Sequence, residues 1–334
     1  MTRVWGGALA LGLVVCVLGC DAVPLTAPLW TEAERREQAA RYLNEGLQAL
    51  DADGEQADRL LGRAVALQDD PEGLGVVTVA QRLLEEGRAP KAGNLLRDAI
   101  EQPLLRQNPL VFGVLARVYF AQGADDDARR SEQQAEELVS DALAQTEKER
   151  SEDEMTRRER VRQFLVAGRY CDEFGSNPKR TLQLLRAAVR LGPDNTELLS
   201  PLDLRALSAL GIALARHPKL AVDRSESIRY TRLAAQQDPS ATLLHAYGFA
   251  LLQSGDTRGA QRVLREAVEQ DTDNPEIHFH LGLAYSQQAK YDQAALALDR
   301  ALMLRPHHAE AALARKALPN PLPVSAGEAE EDLN

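Results

Sequence analysis

PEIHFHLGLAYSQQAKYDQAALALDRALMLRPHH, residues 275–308, decides the fold of this chain. It follows ATLLHAYGFALLQSGDTRGAQRVLREAVEQDTDN, residues 241–274, with which it shares a register. Gly248 is answered by Gly282, Ala260 by Ala294, Leu264 by Leu298 and Ala267 by Ala301, each 34 residues on. A fixed period of this length marks a stack of helical pairs, each burying its apolar face against the next. The small residues have a steric reason. Two helices cross closely where Gly282 meets the face bearing Ala294, while Leu281, Tyr285 and Leu298 fill the wedge around the crossing. Pro306 stops the second helix.

Weaker copies continue upstream. Residues 109–142 keep Phe112, Leu115, Ala116, Tyr119, Gly123, Ala128 and Ala135, and residues 73–106 keep Val79, Ala80, Leu83, Gly87, Ala92, Leu96 and Ala99. Residues 161–194 keep Phe164, Ala167, Gly168, Leu185, Ala188 and Pro193. Residues 204–239 form a longer copy, with Leu207, Leu210, Gly211, Leu214 and Ala234 and an inter-helix loop enlarged around His217-Pro218-Lys219. Residues 37–70 keep Ala40, Leu43, Leu47, Leu61 and Ala64, with a slip of one residue between the helices.

The two strong repeats resemble the tetratricopeptide repeat at nearly every signature position, His278 standing where that family has its first aromatic and Thr272 where residues 241–274 would end in proline. The resemblance spans residues 37–308. It implies an all-α, right-handed α-solenoid of about seven helix pairs whose first helices line a concave, protein-binding groove. On that groove the resemblance places His245, Phe249, Gln253, Phe279, His280, Leu283 and Gln287. Phe249 and Phe279 stand outside the signature core positions. They read either as anchors for a partner or as residues packed against neighbouring helices or the C-terminal cap.

Composition agrees with a scaffold. Among 334 residues, 44% are hydrophobic and only 4% aromatic, which suits helices packed through small side chains, and Val76-Val77-Thr78-Val79 is the one obvious β-type run. A net charge of −11 argues against nucleic acid and against electrostatic attraction to anionic lipid. No phosphate-binding Gly-rich loop, zinc-protease His pair or nucleophile elbow is present, so the chain is read as no enzyme, without cofactor, metal or small-molecule substrate. Gly73-Leu-Gly75 reads as a helix start. Asp125-Asp126-Asp127 stands where a second helix begins, its charge suited to the positive helix end, and reads as a cap rather than a cation site. His278 and His280, two apart on one helix, point to different faces, which disfavours a metal site.

The N-terminus reads as an export signal, with Arg3 before an apolar run from Val4 to Leu18. Val17-Leu18-Gly19-Cys20 resembles the lipobox of bacterial lipoproteins, which implies cleavage before Cys20 and lipidation of its sulfur; an uncleaved helix or an ordinary secretory signal are the alternatives. Two acyl chains would anchor the chain stably in a bacterial cell envelope, facing the periplasm, with inner and outer membrane both open even though Asp21 resembles a retention signal. Cys171 is then left as a packed thiol.

The expected organisation is a signal peptide at 1–19, a tether at 20–33, degenerate repeats at 34–145, a charged connector at 146–160, C-terminal repeats with a capping helix at 161–318, and a disordered acidic tail at 319–334. The connector reads as hinge or helix, and its i,i+4 pairs Asp153–Arg157 and Glu154–Arg158 favour a helix. The function expected is a membrane-tethered adaptor for protein partners in an envelope assembly. The alternative is a regulator that brings a peptidoglycan hydrolase or protease to its substrate. Homo-oligomerisation through an exposed repeat face stays open.

Overall fold

The computed structural model describes residues 32–50, 54–67, 73–146 and 153–319, apart from 176, 194, 222 and 224. The export signal, Cys20, tether residues 20–31 and tail residues 320–334 lie outside the described residues, whereas residues 32 and 33, expected to end the tether, already form the start of the first helix. Among those described, the regular structure is entirely helical, fifteen α-helices with three short 3-10 turns. The helices fall into seven consecutive antiparallel-type pairs and a last single helix, as the 34-residue period predicts. The chain forms two compact units, residues 1–69 and 70–334.

The first unit contains one pair, α1 (Glu32–Ala49) and α2 (Gly54–Leu67). Ala39, Leu43, Ala57, Leu60, Leu61 and Ala64 are buried. A methyl group on Gly46 would stand 3.0 Å from Leu61 Cγ, so Gly46 marks the crossing of this pair.

The second unit stacks six pairs: α3 (Leu74–Glu85) with α4 (Ala89–Ile100), α5 (Pro109–Ala121) with α6 (Asp125–Gln145), α7 (Glu154–Glu173) with α8 (Pro178–Leu191), α9 (Pro201–Arg216) with α10 (Glu226–Gln237), α11 (Ala241–Ser254) with α12 (Thr257–Gln270), and α13 (Pro275–Gln287) with α14 (Tyr291–Leu304). The terminal α15 (Ala309–Ala317) packs on α14. Each first helix touches its own partner and the first helices of the adjacent pairs, so α3, α5, α7, α9, α11 and α13 form one continuous layer. The β-branched run at 76–79 lies inside α3, where Val76, Val77 and Val79 are buried: packing overrides propensity.

Close approach at the crossings is visible in the distances. A methyl on Gly248 would lie 2.6 Å from Leu264 Cγ, on Gly282 2.7 Å from Leu298 Cγ, and on Gly168 2.6 Å from Leu185 Cδ2. Helix starts follow the local sequence. Asn108, Asn177 and Asn274 each accept a backbone N–H from the first turn of the helix they precede, with proline in the first position. Ser200 and Asp203 form a reciprocal capping box on α9. The enlarged loop of the fifth pair holds a 3-10 turn, Pro218–Leu220.

The charged stretch 146–160 is not one continuous helix among the described residues. Helix α6 closes at Thr146, and Asp153, in extended backbone, opens α7 by accepting the N–H groups of Met155 and Thr156. Asp153 therefore caps rather than pairing with Arg157. The Arg157 guanidinium instead bonds Glu154 at 2.8 Å and reaches buried Asp203 at 3.0 Å and the Leu191 carbonyl at 3.1 Å, tying α7 to the next pair. Glu154 does hold Arg158, at 2.7 Å.

In four pairs of the second unit the turn between the two helices takes a left-handed residue. Gly87, Gly123 and Gly255 supply it with φ of 72°, 73° and 92°, whereas the final strong repeat puts Ala289 there at φ 59°. A side chain in that conformation costs about 1–2 kcal/mol, and glycine costs about 0.5–1 kcal/mol more in unfolded-chain entropy. We expect Ala289→Gly to stabilise the protein by about 0.5 kcal/mol, read as a higher urea midpoint at unchanged slope.

Candidate protein-binding face

Counting from the start of each repeat puts a small residue at every helix crossing of the second unit: Ala80, Ala116, Gly168, Gly211, Gly248 and Gly282. The residue that follows it lies on the inner layer. In order these are Gln81, Arg117, Arg169, Ile212, Phe249 and Leu283, so the first three are polar and the last three apolar. One turn further along stand Glu85, Glu173 and Arg216, then Gln253 and Gln287. The inner layer thus has a charged sector on α3–α9 and an apolar sector on α11 and α13.

The charged sector lines a cavity of about 680 Å³, bounded by Thr78, Gln81, Glu85, Arg117, Arg169 and Glu173, among others, and reached by Arg216 and Arg305. This volume falls within the range of about 300–1,000 Å³ typical of ligand sites. Its charges are cross-linked between helices. Arg117 Nη1 stands 3.5 Å from Glu173 Oε1, and its guanidinium lies 4.1 Å from the centre of the Phe174 ring. Gln81 donates to the same Glu173 carboxylate, and Arg216 pairs with Asp172. Burial raises the Glu173 carboxyl above the ordinary carboxylate value, against the opposing pull of Arg117 and Gln81.

The apolar sector, where sequence reasoning placed the groove, is largely closed. His245, Phe249, Phe279 and His280 come together as one ring cluster, with His245 Nε2 2.8 Å from His280 Nδ1. Phe249 meets the His280 ring edge-on, centroids 4.9 Å apart. Phe279 packs against both His280 and His308. Exposure of Phe249 is 8% and of Phe279 6%, so neither stands free as an anchor; the packed alternative describes them. The physical reasons differ: Phe249 packs with Ala215 and Ile212 of the preceding pair and against His280, whereas Phe279 is covered by the ring of His308, which accepts the Ala311 N–H at the start of α15. Leu283 is half-buried, and Gln253 and Gln287 remain exposed at the edge. His278 faces away from the cluster and bonds the Thr272 carbonyl at 2.8 Å.

Sequence reasoning passed over Gln81, Arg117, Arg169 and Glu173. Their signal was present as the register just counted, one residue after each small crossing residue, but charge there is easily taken for solvent exposure. Among the described residues no three His, Cys, Asp or Glu side chains gather in a way that could hold a metal ion, and no helix is long and apolar enough to cross a membrane. Cys171 is buried, and burial pushes its thiol up to about 11, far from a reactive thiolate.

Residues 251–318 match the tetratricopeptide repeat family model. No curated protein matches the chain. Among solved structures, the chain is similar to a tetratricopeptide repeat protein from Parabacteroides merdae at 13% identity and TM-score 0.46, covering 84% of this chain and 98% of that one. It is similar to PilW, a widely conserved type IV pilus biogenesis factor, at 14% identity and TM-score 0.41, covering 71% and 96%. It is similar also to YrrB, a tetratricopeptide repeat protein with an unusual peptide-binding site, at 18% identity and TM-score 0.36, covering 66% and 97%.

Two expectations follow from the ring cluster. Phe279→Ala removes a buried aromatic between α13 and α15 and should cost about 3–5 kcal/mol, read by urea unfolding. Acid should also loosen these repeats. Burial lowers His245 from 6.5 to about 4 and, with the neighbouring His245, lowers His280 to about 3; Glu276 and Arg216 are the charged groups facing the pair. Burial would raise Glu276, but His308, His280 and Arg305 outweigh it and hold the carboxyl at about 2. Both histidines are neutral when folded and take up protons on unfolding, so their stabilising effect is complete above pH 6.5 and declines as pH falls toward 4. Glu276 adds a further loss below 4.5. Urea midpoints should fall over this range, and His245→Leu/His280→Leu should flatten the part above pH 4.5.

Proposed function

We propose that this protein is a membrane-tethered adaptor, held by a lipid on Cys20, that gathers protein partners on its inner helical layer within a bacterial cell-envelope assembly. One observation carries the binding part of the reading. Successive first helices converge their cross-linked polar groups, Gln81, Arg117, Glu173 and Arg216, on a single cavity. Side chains already held in defined geometry lose little freedom when a partner replaces their present contacts. The repeat architecture supports a scaffold, since stacked pairs present an extended concave surface. The tether rests on Val17-Leu18-Gly19-Cys20 alone.

The test is in-cell crosslinking with mass spectrometry on the native chain, on Cys20→Ala and on Arg117→Ala/Arg169→Ala. Envelope proteins recovered with the native chain, lost with the arginine variant and reduced when Cys20 is replaced are the expected result. The same proteins recovered in full with Cys20→Ala would remove the tether from the reading. Equal recovery with the arginine variant would remove the inner layer.

A further inference from the structure

The two ends of the second unit meet. Arg305, just past the end of α14, donates from Nε to Glu85 Oε2 at 3.1 Å and from Nη2 to the other oxygen of the same carboxylate, at the end of α3. Two parallel bonds to one carboxylate fix the guanidinium plane as a single bond would not. The opposite edge of Arg305 holds Glu276 Oε1 at 2.8 Å, so one side chain joins α3, α13 and α14. Arg82, itself bonded to Glu85, donates to the Leu304 carbonyl at 3.2 Å, and His307 Nε2 lies 3.9 Å from Glu86 Oε2. These groups are separated by more than two hundred residues, and both Glu85 and Arg305 border the inner cavity.

A helical stack has no need of this contact, since each pair is satisfied by its neighbours. The joining groups are polar and only partly buried, Arg305 at 29% exposure and Glu85 at 24%. Polar contacts of this kind add little to stability but have a definite geometry. They are well suited to an element with two arrangements. We propose that Arg305 is a latch that holds the ends of the array together across the mouth of the charged cavity, and that its release admits the protein partner. The gating half of this rests on the binding role assigned to the inner layer; the latch itself does not.

The latch is read without a partner. In the full-length chain, Arg305→Gln should speed amide hydrogen exchange at residues 83–86 roughly tenfold, between the effects of breaking an exposed pair and a buried one, and leave α5 and α6 unchanged. Glu85→Gln, which spares the bond from Arg305 to Glu276, should speed exchange at 302–305. The double variant should do no more than either single at its distant site. Native rates at 83–86 in Arg305→Gln, or additive effects in the double variant, would overturn the latch. Gating is read with a photo-crosslinking residue at Thr78, which faces the cavity. Arg305→Gln should raise partner crosslinks several-fold. Faster exchange with unchanged crosslinking would overturn gating while the scaffold stands. Absence of any partner in both forms would defeat the scaffold reading, and gating with it, while the exchange data judge the latch independently.

Discussion

The contact on which the rest depends is a small residue at the helix crossing, set against a leucine at Gly168, Gly248 and Gly282. At Gly248 and Gly282 no room exists for even one methyl group without displacing Leu264 or Leu298. Gly211 does the same against Thr231, whose hydroxyl is bonded to the Ser227 carbonyl. Because the crossing point is set by the smallest residue, the residue that follows it is placed on the inner layer whatever its chemistry. The fold therefore fixes where the inner residues stand and leaves free what they are. That separation lets Gln81, Arg117 and Arg169 share a structural position with Phe249 and Leu283.

The two sectors of the inner layer follow from what covers them. On α3–α9 the charges stay in contact with the cavity, held by one another and bordered by Arg305. On α11 and α13 the terminal helix brings His308 over Phe279, and the imidazoles of His245 and His280 fill the remaining space. Arg216 stands at the border, paired with Asp172 on one side and 5.9 Å from the Phe249 ring on the other. A neutral imidazole pair suits this place because each ring can exchange one hydrogen bond with the other and still present carbon surface to the phenylalanines.

Much of this was legible in the sequence, and the limits have physical causes. The 34-residue spacing gave the helix pairs, and Ala309–Ala317 is the capping helix that the pattern required. The acidic first turn at Asp125 and the helix start at Gly73 were equally readable. Gly46 was not, because the first pair is out of step with the others and its crossing residue falls off the register. The burial of Phe279 was not, because periodicity says nothing of a cap folding over the inner layer; nor was that of Phe249, because the register places it on that layer whether Ala215, Ile212 and His280 close around it or leave it open. Asp153 was read as half of an ion pair when its short side chain is better used on the free N–H groups that open α7.

The contact between Arg305 and Glu85 lies furthest from any sequence signal. A repeat pattern encodes neighbours, and no period relates α3 to α14. Their meeting is the accumulated result of the small rotation added at each pair. Loop insertions alter that rotation, and the fifth pair carries one, with its 3-10 turn at Pro218–Leu220 and Arg186 reaching both the Leu220 carbonyl and buried Glu226 across it. A change in the angle between any two pairs is summed around the unit and felt at its ends, where Arg305 meets Glu85 and His307 stands near Glu86. The proposed latch would therefore respond to strain introduced elsewhere in the stack, and the cavity that it borders would respond with it.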